Sequence, residues 1–204
     1  TKPAVEGTAY TFMEQSFGAL CCISICAGGL MGLPLVVSEY RERKILKRFQ
    51  VTPVSPTKLL AVEFVIYMIY CVVSILTLFP VAMLFWKIKI HGSFLLFLGS
   101  WFLTMVSTLS IGLLVGGIAK NMKSASVIAC ILYFPMLIFS GATLPFEVMP
   151  SAMQKIIRIF PLTQGIQLMK ATFLGLSVDN ALLPVVVMCA VTIICFGISV
   201  KYFK

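Results

Sequence analysis

Very few side chains in this sequence could carry chemistry. Glu63 is the one charged residue well inside an apolar run, KLLAVEFVIYMIY. A carboxylate at the centre of a bilayer costs about 2.5 to 3.5 kcal/mol on insertion scales. Glu63 lies roughly two helical turns past Pro56, where water or Lys58 can reach it, so a polar contact at the inner mouth of the membrane is favoured over a substrate or proton site. Glu147, between Phe146 and Val148, either closes the outer end of a pathway or faces water. The single histidine, His91, stands beside Gly92 and reads as a solvated turn residue. Seven cysteines (Cys21, Cys22, Cys26, Cys71, Cys130, Cys189, Cys195) all fall in apolar runs. Their odd number and depth argue against a disulfide framework. Cys22 and Cys26 are a turn apart but lack a nearby His or carboxylate, so small packing residues describe them better than metal ligands. There is no Ser-His-Asp set, no carboxylate pair within a run and no Gly-rich loop ending in GK[ST]. The chain is expected to bind no cofactor and not to hydrolyse ATP.

The charged residues have a different logic. Six of the sixteen Lys and Arg residues fall between Ser38 and Lys58: Arg41, Arg43, Lys44, Lys47, Arg48 and Lys58. Short loops rich in Lys and Arg stay on the cytoplasmic side of a membrane. Tyr40, Ile45, Leu46 and Phe49 can share one helix face, with Arg41, Glu42, Lys44, Lys47 and Arg48 around the remainder. A short amphipathic helix over 39–50 is therefore expected, ended by Thr52-Pro53, with Ser55-Pro56 starting the next. Such a helix either grips anionic headgroups or docks a cytoplasmic protein.

A composition 60% hydrophobic, with mean hydropathy +1.04, is that of a polytopic membrane protein of the all-α class. The net charge of +9 is carried at the ends of apolar runs, without the aromatic and basic interleaving of nucleic-acid binders. Five runs reach the roughly 20 residues needed to cross: about 17–37, 59–86, 93–118, 124–143 and 181–200. Gly28, Gly29 and Gly32 offer the first a smooth face. The second is long and carries Pro80; the third carries hydroxyls at 100, 104, 107, 108 and 110, candidates for a pathway or a helix interface. With 38–58 inside, ten Lys and Arg residues lie inside and six outside. Tyr10, Phe12, Trp86, Phe94 and Trp101 then fall near the outer interface, as an aromatic belt would. Five spans with an inside C-terminus place Thr1 outside, so a parent with six spans and an inside N-terminus is expected.

Residues 144–180 are too apolar for a free loop, yet Pro145, Pro150 and Pro161 with Lys155, Arg158 and Lys170 interrupt any span. Two short helices are expected, one from Ser151 to Phe160 and one from Leu162 to Leu174 stopped at Gly175. They either re-enter the outer leaflet, which is tolerated where protein or water satisfies their ends, or lie on it as an ordinary loop.

Two segments together carry a family resemblance. ERKILKRFQVTPVSPTK, from Glu42 to Lys58, resembles the cytoplasmic loop of the ABC-2 type transporter permeases, and SGATLPFEVMPSAMQKIIRIFPLTQGIQLMK, from Ser140 to Lys170, resembles their outer motif. The likeness covers nearly the whole chain and implies a single permease domain, 1–204, truncated at its N-terminus. It departs at Lys44-Ile45, where the family often has G-T, and at Lys170, where it has Arg. The resemblance implies a coupling helix received by an ABC ATPase subunit, with Glu39, Arg41, Glu42, Arg43, Lys44, Leu46, Lys47, Arg48, Phe49, Thr52 and Pro53 as its residues. It implies an outer re-entrant gate at Ser140, Gly141, Pro145, Glu147, Pro150 and Pro161, and a second permease subunit as homodimer or heterodimer partner. ATP and Mg would be bound by the ATPase, and a drug, peptide, lipid or glycan-type substrate exported across a plasma membrane, a bacterial inner membrane in the first instance. A transport-inactive immunity or sensor protein sharing the fold is the competing expectation.

Overall fold

A computed structural model describes residues 12–45, 56–88, 91–139, 160–175 and 182–203. Among them every regular element is helical: α1 (Phe12–Cys26), a π-helical segment (Ala27–Gly32), α2 (Leu33–Glu42), α3 (Pro56–Trp86), α4 (Phe94–Ile118), α5 (Met122–Phe139), α6 (Pro161–Leu174) and α7 (Leu182–Phe203). Three helical stretches are long and apolar enough to cross a membrane, Ser16–Glu42, Lys58–Trp86 and Phe94–Ile118; Met122–Ile138 and Leu183–Ser199 are shorter apolar helices. The chain is an all-α polytopic membrane protein.

The first long helix is built from α1, the π-helical segment and α2 without a break. Pro34 sits in the opening turn of α2, where it lacks an amide hydrogen and its ring crowds the carbonyl four residues back. The widened turn just upstream, in which the Leu33 amide donates to the Gly28 carbonyl five residues earlier, relieves that crowding. Nothing after Pro34 stops the helix before Glu42, so it runs past the expected end at Val37. Glu39, Tyr40, Arg41 and Glu42 are its last turn rather than the start of a separate helix; the chain turns at Arg43–Lys44, where Lys44 adopts φ 56°.

α4 is the axis of the bundle and touches every other helical element among the described residues. It lies backbone against backbone on the first helix. A methyl group at Gly112 would collide with the Gly29 carbonyl oxygen, and one at Gly116 would meet Val37 at 2.8 Å. The spacing of Gly112 and Gly116 is the small-xxx-small pattern that lets helix backbones meet in lipid. Gly32 faces Tyr67 of α3 in the same manner: a methyl group there would stand 2.6 Å from the ring. At the opposite end Phe17, Phe97 and Phe173, all buried, join α1, α4 and α6 with ring centroids 5.3 to 5.9 Å apart.

α3 lies at the periphery. Val62, Val65, Ile69, Val73, Leu76 and Leu84 are exposed along it, a surface that only lipid or another apolar protein face would cover. It begins at Pro56 as expected and stays helical through Pro80. The aromatic belt is corrected at one position. Trp86 and Phe94 are exposed, but Trp101 is only 3% exposed and belongs to the core, because it faces into the bundle one turn after Phe97. The expected short helix over 151–160 lies outside the described residues.

The Gly29–Gly112 contact yields a direct test. Gly112→Ala must push two backbones apart and is expected to lose about 1–3 kcal/mol, the cost of overpacking, seen as a lower melting temperature in detergent. Gly99→Ala, where nothing lies within 4 Å, is the control and leaves the melting temperature unchanged or slightly raised. Equal losses at both positions would show that the contact is not what limits helix approach.

Candidate functional site

Two clusters of polar groups stand at opposite ends of the bundle. The first gathers around the last turn of α2. The Tyr40 hydroxyl donates to Glu63 Oε1 of α3 at 2.6 Å. Glu63 is only 8% exposed, so the burial cost of its carboxylate is offset by a charge-assisted hydrogen bond. The partner of Glu63 is thus Tyr40, while Lys58 is exposed. Arg41 Nη1 donates to the carbonyls of Gly117 and Ala119, where α4 ends. Glu42 Oε2 accepts from the Met122 amide at 2.9 Å, where α5 begins. Arg43 instead pairs with Glu39 on its own helix at 2.8 Å, largely exposed. Lys44 is exposed.

The link from α4 to α5 is itself ordered by side chains. Ala119 is extended, and Asn121 and Ser124 cap the start of α5 reciprocally: the Ser124 amide donates to Asn121 Oδ1 at 2.8 Å, and Ser124 Oγ donates to the Asn121 carbonyl at 2.9 Å. Asn followed three residues later by Ser ahead of an apolar run is a signal the sequence carried.

The second cluster lies at the far end, where α6 is seated. Its 14 residues give a length of about 21 Å at 1.5 Å per residue, short of the roughly 30 Å hydrocarbon core. Most of its side chains are buried, against α1 and α4 in particular. Gly165, in its second turn, rests on Thr104 part-way along α4, and Met169 lies over Gly18, its sulfur 3.5 Å from Cys22 Sγ. The far end of α6 closes against the turn before α4: the His91 and Gly92 amides both donate to the Phe173 carbonyl, at 3.2 and 3.0 Å, and Gly175 ends the helix at φ 69°. The Ser100 and Thr172 hydroxyls meet at 3.2 Å. His91 Nε2 also stands 3.6 Å from Glu14 Oε1, a buried carboxylate, so His91 is exposed in its turn, as expected, and has a partner at this end as well. That pairing had no sequence signal, since 77 positions separate the two residues.

Of the residues assigned to the coupling helix, the described ones are Glu39, Arg41, Glu42, Arg43 and Lys44; Leu46, Lys47, Arg48, Phe49, Thr52 and Pro53 lie outside the described residues. Of the outer-gate set, Pro161 opens α6, while Ser140, Gly141, Pro145, Glu147 and Pro150 lie outside. The hydroxyl residues of α4 are buried within the chain: Thr104, Thr108 and Ser110 donate to carbonyls of their own helix, whereas Ser107 Oγ, like Thr163 Oγ1 in the first turn of α6, has no hydrogen-bond partner. The cysteines of α1 are buried packing residues, and the described residues contain no group of His, Cys, Asp and Glu that could hold a metal ion.

A bundle with a charged turn at one end and a short buried helix at the other can be compared with known proteins. The family model for the ABC-2 family transporter proteins matches residues 2–201. This chain belongs to that family. It is 28% identical over 150 residues to the inner membrane transport permease YhhJ of Escherichia coli, covering 73% of this chain and 40% of that protein. It is 26% identical over 161 residues to the probable multidrug ABC transporter permease YbhS of the same species, covering 78% and 42%. With nodulation protein J of Rhizobium leguminosarum it shares 30% over 102 residues, 50% of this chain and 39% of that one. The chain thus spans about two fifths of the length of these curated relatives. No solved structure matches it.

The buried Tyr40–Glu63 bond should be measurable in a double-mutant cycle. Tyr40→Phe leaves a buried carboxylate without its donor and is expected to cost about 1.5–3 kcal/mol. Tyr40→Phe combined with Glu63→Leu should cost clearly less than the two singles summed. Strict additivity in detergent unfolding would mean that the two groups do not interact.

Proposed function

We propose that this chain is the membrane-spanning core of an ATP-driven ABC exporter. It is a permease subunit that pairs with a second permease subunit and with separate ATPase subunits, and the latter bind ATP and Mg. Its setting is a bacterial inner membrane, and its cargo a drug, peptide, lipid or glycan-type molecule moved outward. The observation that carries this reading is α6: a helix too short to cross, buried against α1 and α4, that starts part-way along α4 and ends at the turn opposite the basic segment. A buried half-span is tolerated in a membrane only where protein or a water-filled cavity satisfies its ends. That is what a gate requires, because a short packed helix can shift without dragging a full span through lipid. Two of its relatives, a transport permease and a probable multidrug permease, support the same class.

In this mechanism the basic segment 39–50 faces the cytosol and is pushed by closure of the ATPase pair. The first helix and α4, held together by the close contact of Gly29 and Gly112, carry the movement across the bilayer. The seat of α6 then changes, and a pathway between the two permease subunits alternates its exposure. Export by alternating access needs two states that ATP binds differently, and the ATPases supply that difference.

The sidedness can be tested with single cysteines introduced at Lys47 and Ser151 in a full-length permease. A membrane-impermeant maleimide applied to intact cells should label Ser151→Cys and spare Lys47→Cys until the inner face is opened. Purification should bring down an ABC ATPase whose binding shields position 47. Labelling of both positions from one side would overturn the assignment.

A further inference from the structure

Three consecutive residues at the end of the first long helix each bond to a different partner: Tyr40 to α3, Arg41 to the end of α4, Glu42 to the start of α5. Successive positions on a helix point about 100° apart, so a single turn faces three neighbours at once. The two charges are matched to the elements they touch. The C-terminus of α4 presents unpaired carbonyls and the negative end of its dipole, and Arg41 donates to two of those carbonyls. The N-terminus of α5 presents unpaired amides and the positive end, and Glu42 accepts from the Met122 amide there. The link they straddle, 119–121, is short and locked by the Asn121–Ser124 cap. Glu42 is exposed like Arg43, the next residue along, but Arg43 pairs within its own helix and holds no other element.

We infer that Arg41 and Glu42 form a two-sided clamp that makes the α4–α5 elbow move as one body with the inner end of the first helix, so that displacement of the adjoining basic segment reaches α4 and, through it, the seat of α6. This deepens the transport reading above and rests on it. In that reading Arg41 and Glu42 are positioning residues, which act through the elbow and need not touch the ATPase. The clamp separates two jobs within one charged cluster. Arg41 and Glu42 hold the permease together, and the basic residues further along the segment are left to meet the partner. The bonds span 76 and 80 positions of sequence, so local helix stability alone does not require them.

The test uses the full-length chain in nanodiscs with its ATPase, read by amide hydrogen exchange with and without vanadate-trapped ATP. In the wild type the amides of 117–124 are expected to stay equally protected in both nucleotide states, while those of the 91–92 turn, which bond the Phe173 carbonyl, change their exchange on trapping. In Arg41→Ala/Glu42→Ala the 117–124 amides should exchange about tenfold faster or more, the loss expected of charge-assisted bonds. On trapping, the response at 91–92 should disappear. Glu42→Gln, which keeps an acceptor for the Met122 amide, should retain most of the elbow protection, which shows that a loss in the double variant is not general misfolding. Faster exchange at 117–124 on trapping in the wild type would overturn the clamp, as would a response at 91–92 that survives the double substitution. If no ATPase associates with the wild type, the transport reading fails by itself. The clamp is then judged on the isolated chain, where unchanged protection at 117–124 in the double variant would overturn it.

Discussion

The contact on which the rest of the structure depends is backbone against backbone: Gly29 of the π-helical segment lies on Gly112 of α4 so closely that no side chain fits between. Inside a bilayer, apolar surface gains little by leaving lipid for protein, so helices associate through packing and through the hydrogen bonds they can close. A glycine seam brings two backbones near enough for many weak dispersion contacts to act together. It also fixes where everything else sits. With α4 pressed onto the first helix, its C-terminal end arrives beside Arg41 and its N-terminal end beside the phenylalanines that hold α6.

The polar groups are distributed accordingly. In the described residues, charged side chains that bond across elements cluster at the two ends, around Glu42 and around Glu14 and His91. The interior between them is apolar or carries hydroxyls that bond mostly to their own helix, together with the buried amide of Gln164 in α6. Charge is costly at depth and well tolerated near water, so the ends are where a membrane protein can keep ionic contacts strong enough to transmit force and close enough to solvent to rearrange. Glu63 marks the limit of this rule, buried one layer inside the basic end and made tolerable by the Tyr40 hydroxyl.

Much of the architecture was legible in the order of residues. The apolar runs, the start at Pro56, the helix from Pro161 stopped by Gly175, and the packing role of the glycines near position 29 all follow from local rules about proline, glycine and hydrophobic length. What was not legible is long-range pairing. Glu42 reads as a surface charge of an amphipathic helix, and only the fold shows it capping a helix 80 positions away; His91 reads as solvated, and it is, but only the fold places Glu14 beside it. Trp101 misled because aromatic composition marks an interface only statistically, whereas its neighbours on α4 turn it inward. The end of the first helix was misplaced because apolarity stops at Val37, while helical hydrogen bonding, which has no quarrel with charged side chains, does not.

The hydroxyls of α4 have a mechanical consequence. Thr104, Thr108 and Ser110 each donate to a carbonyl of α4 itself, at 2.7 to 2.8 Å, so none of these donors is committed to a neighbour. Of the three, Thr104 meets α6, through Gly165, whereas Thr108 lies against Gly29 of the first helix. α6 therefore rests on Thr104 without drawing on its hydroxyl, and its hydrogen-bonded hold lies further along, where Ser100 meets Thr172 and the chain ahead of α4 binds the Phe173 carbonyl.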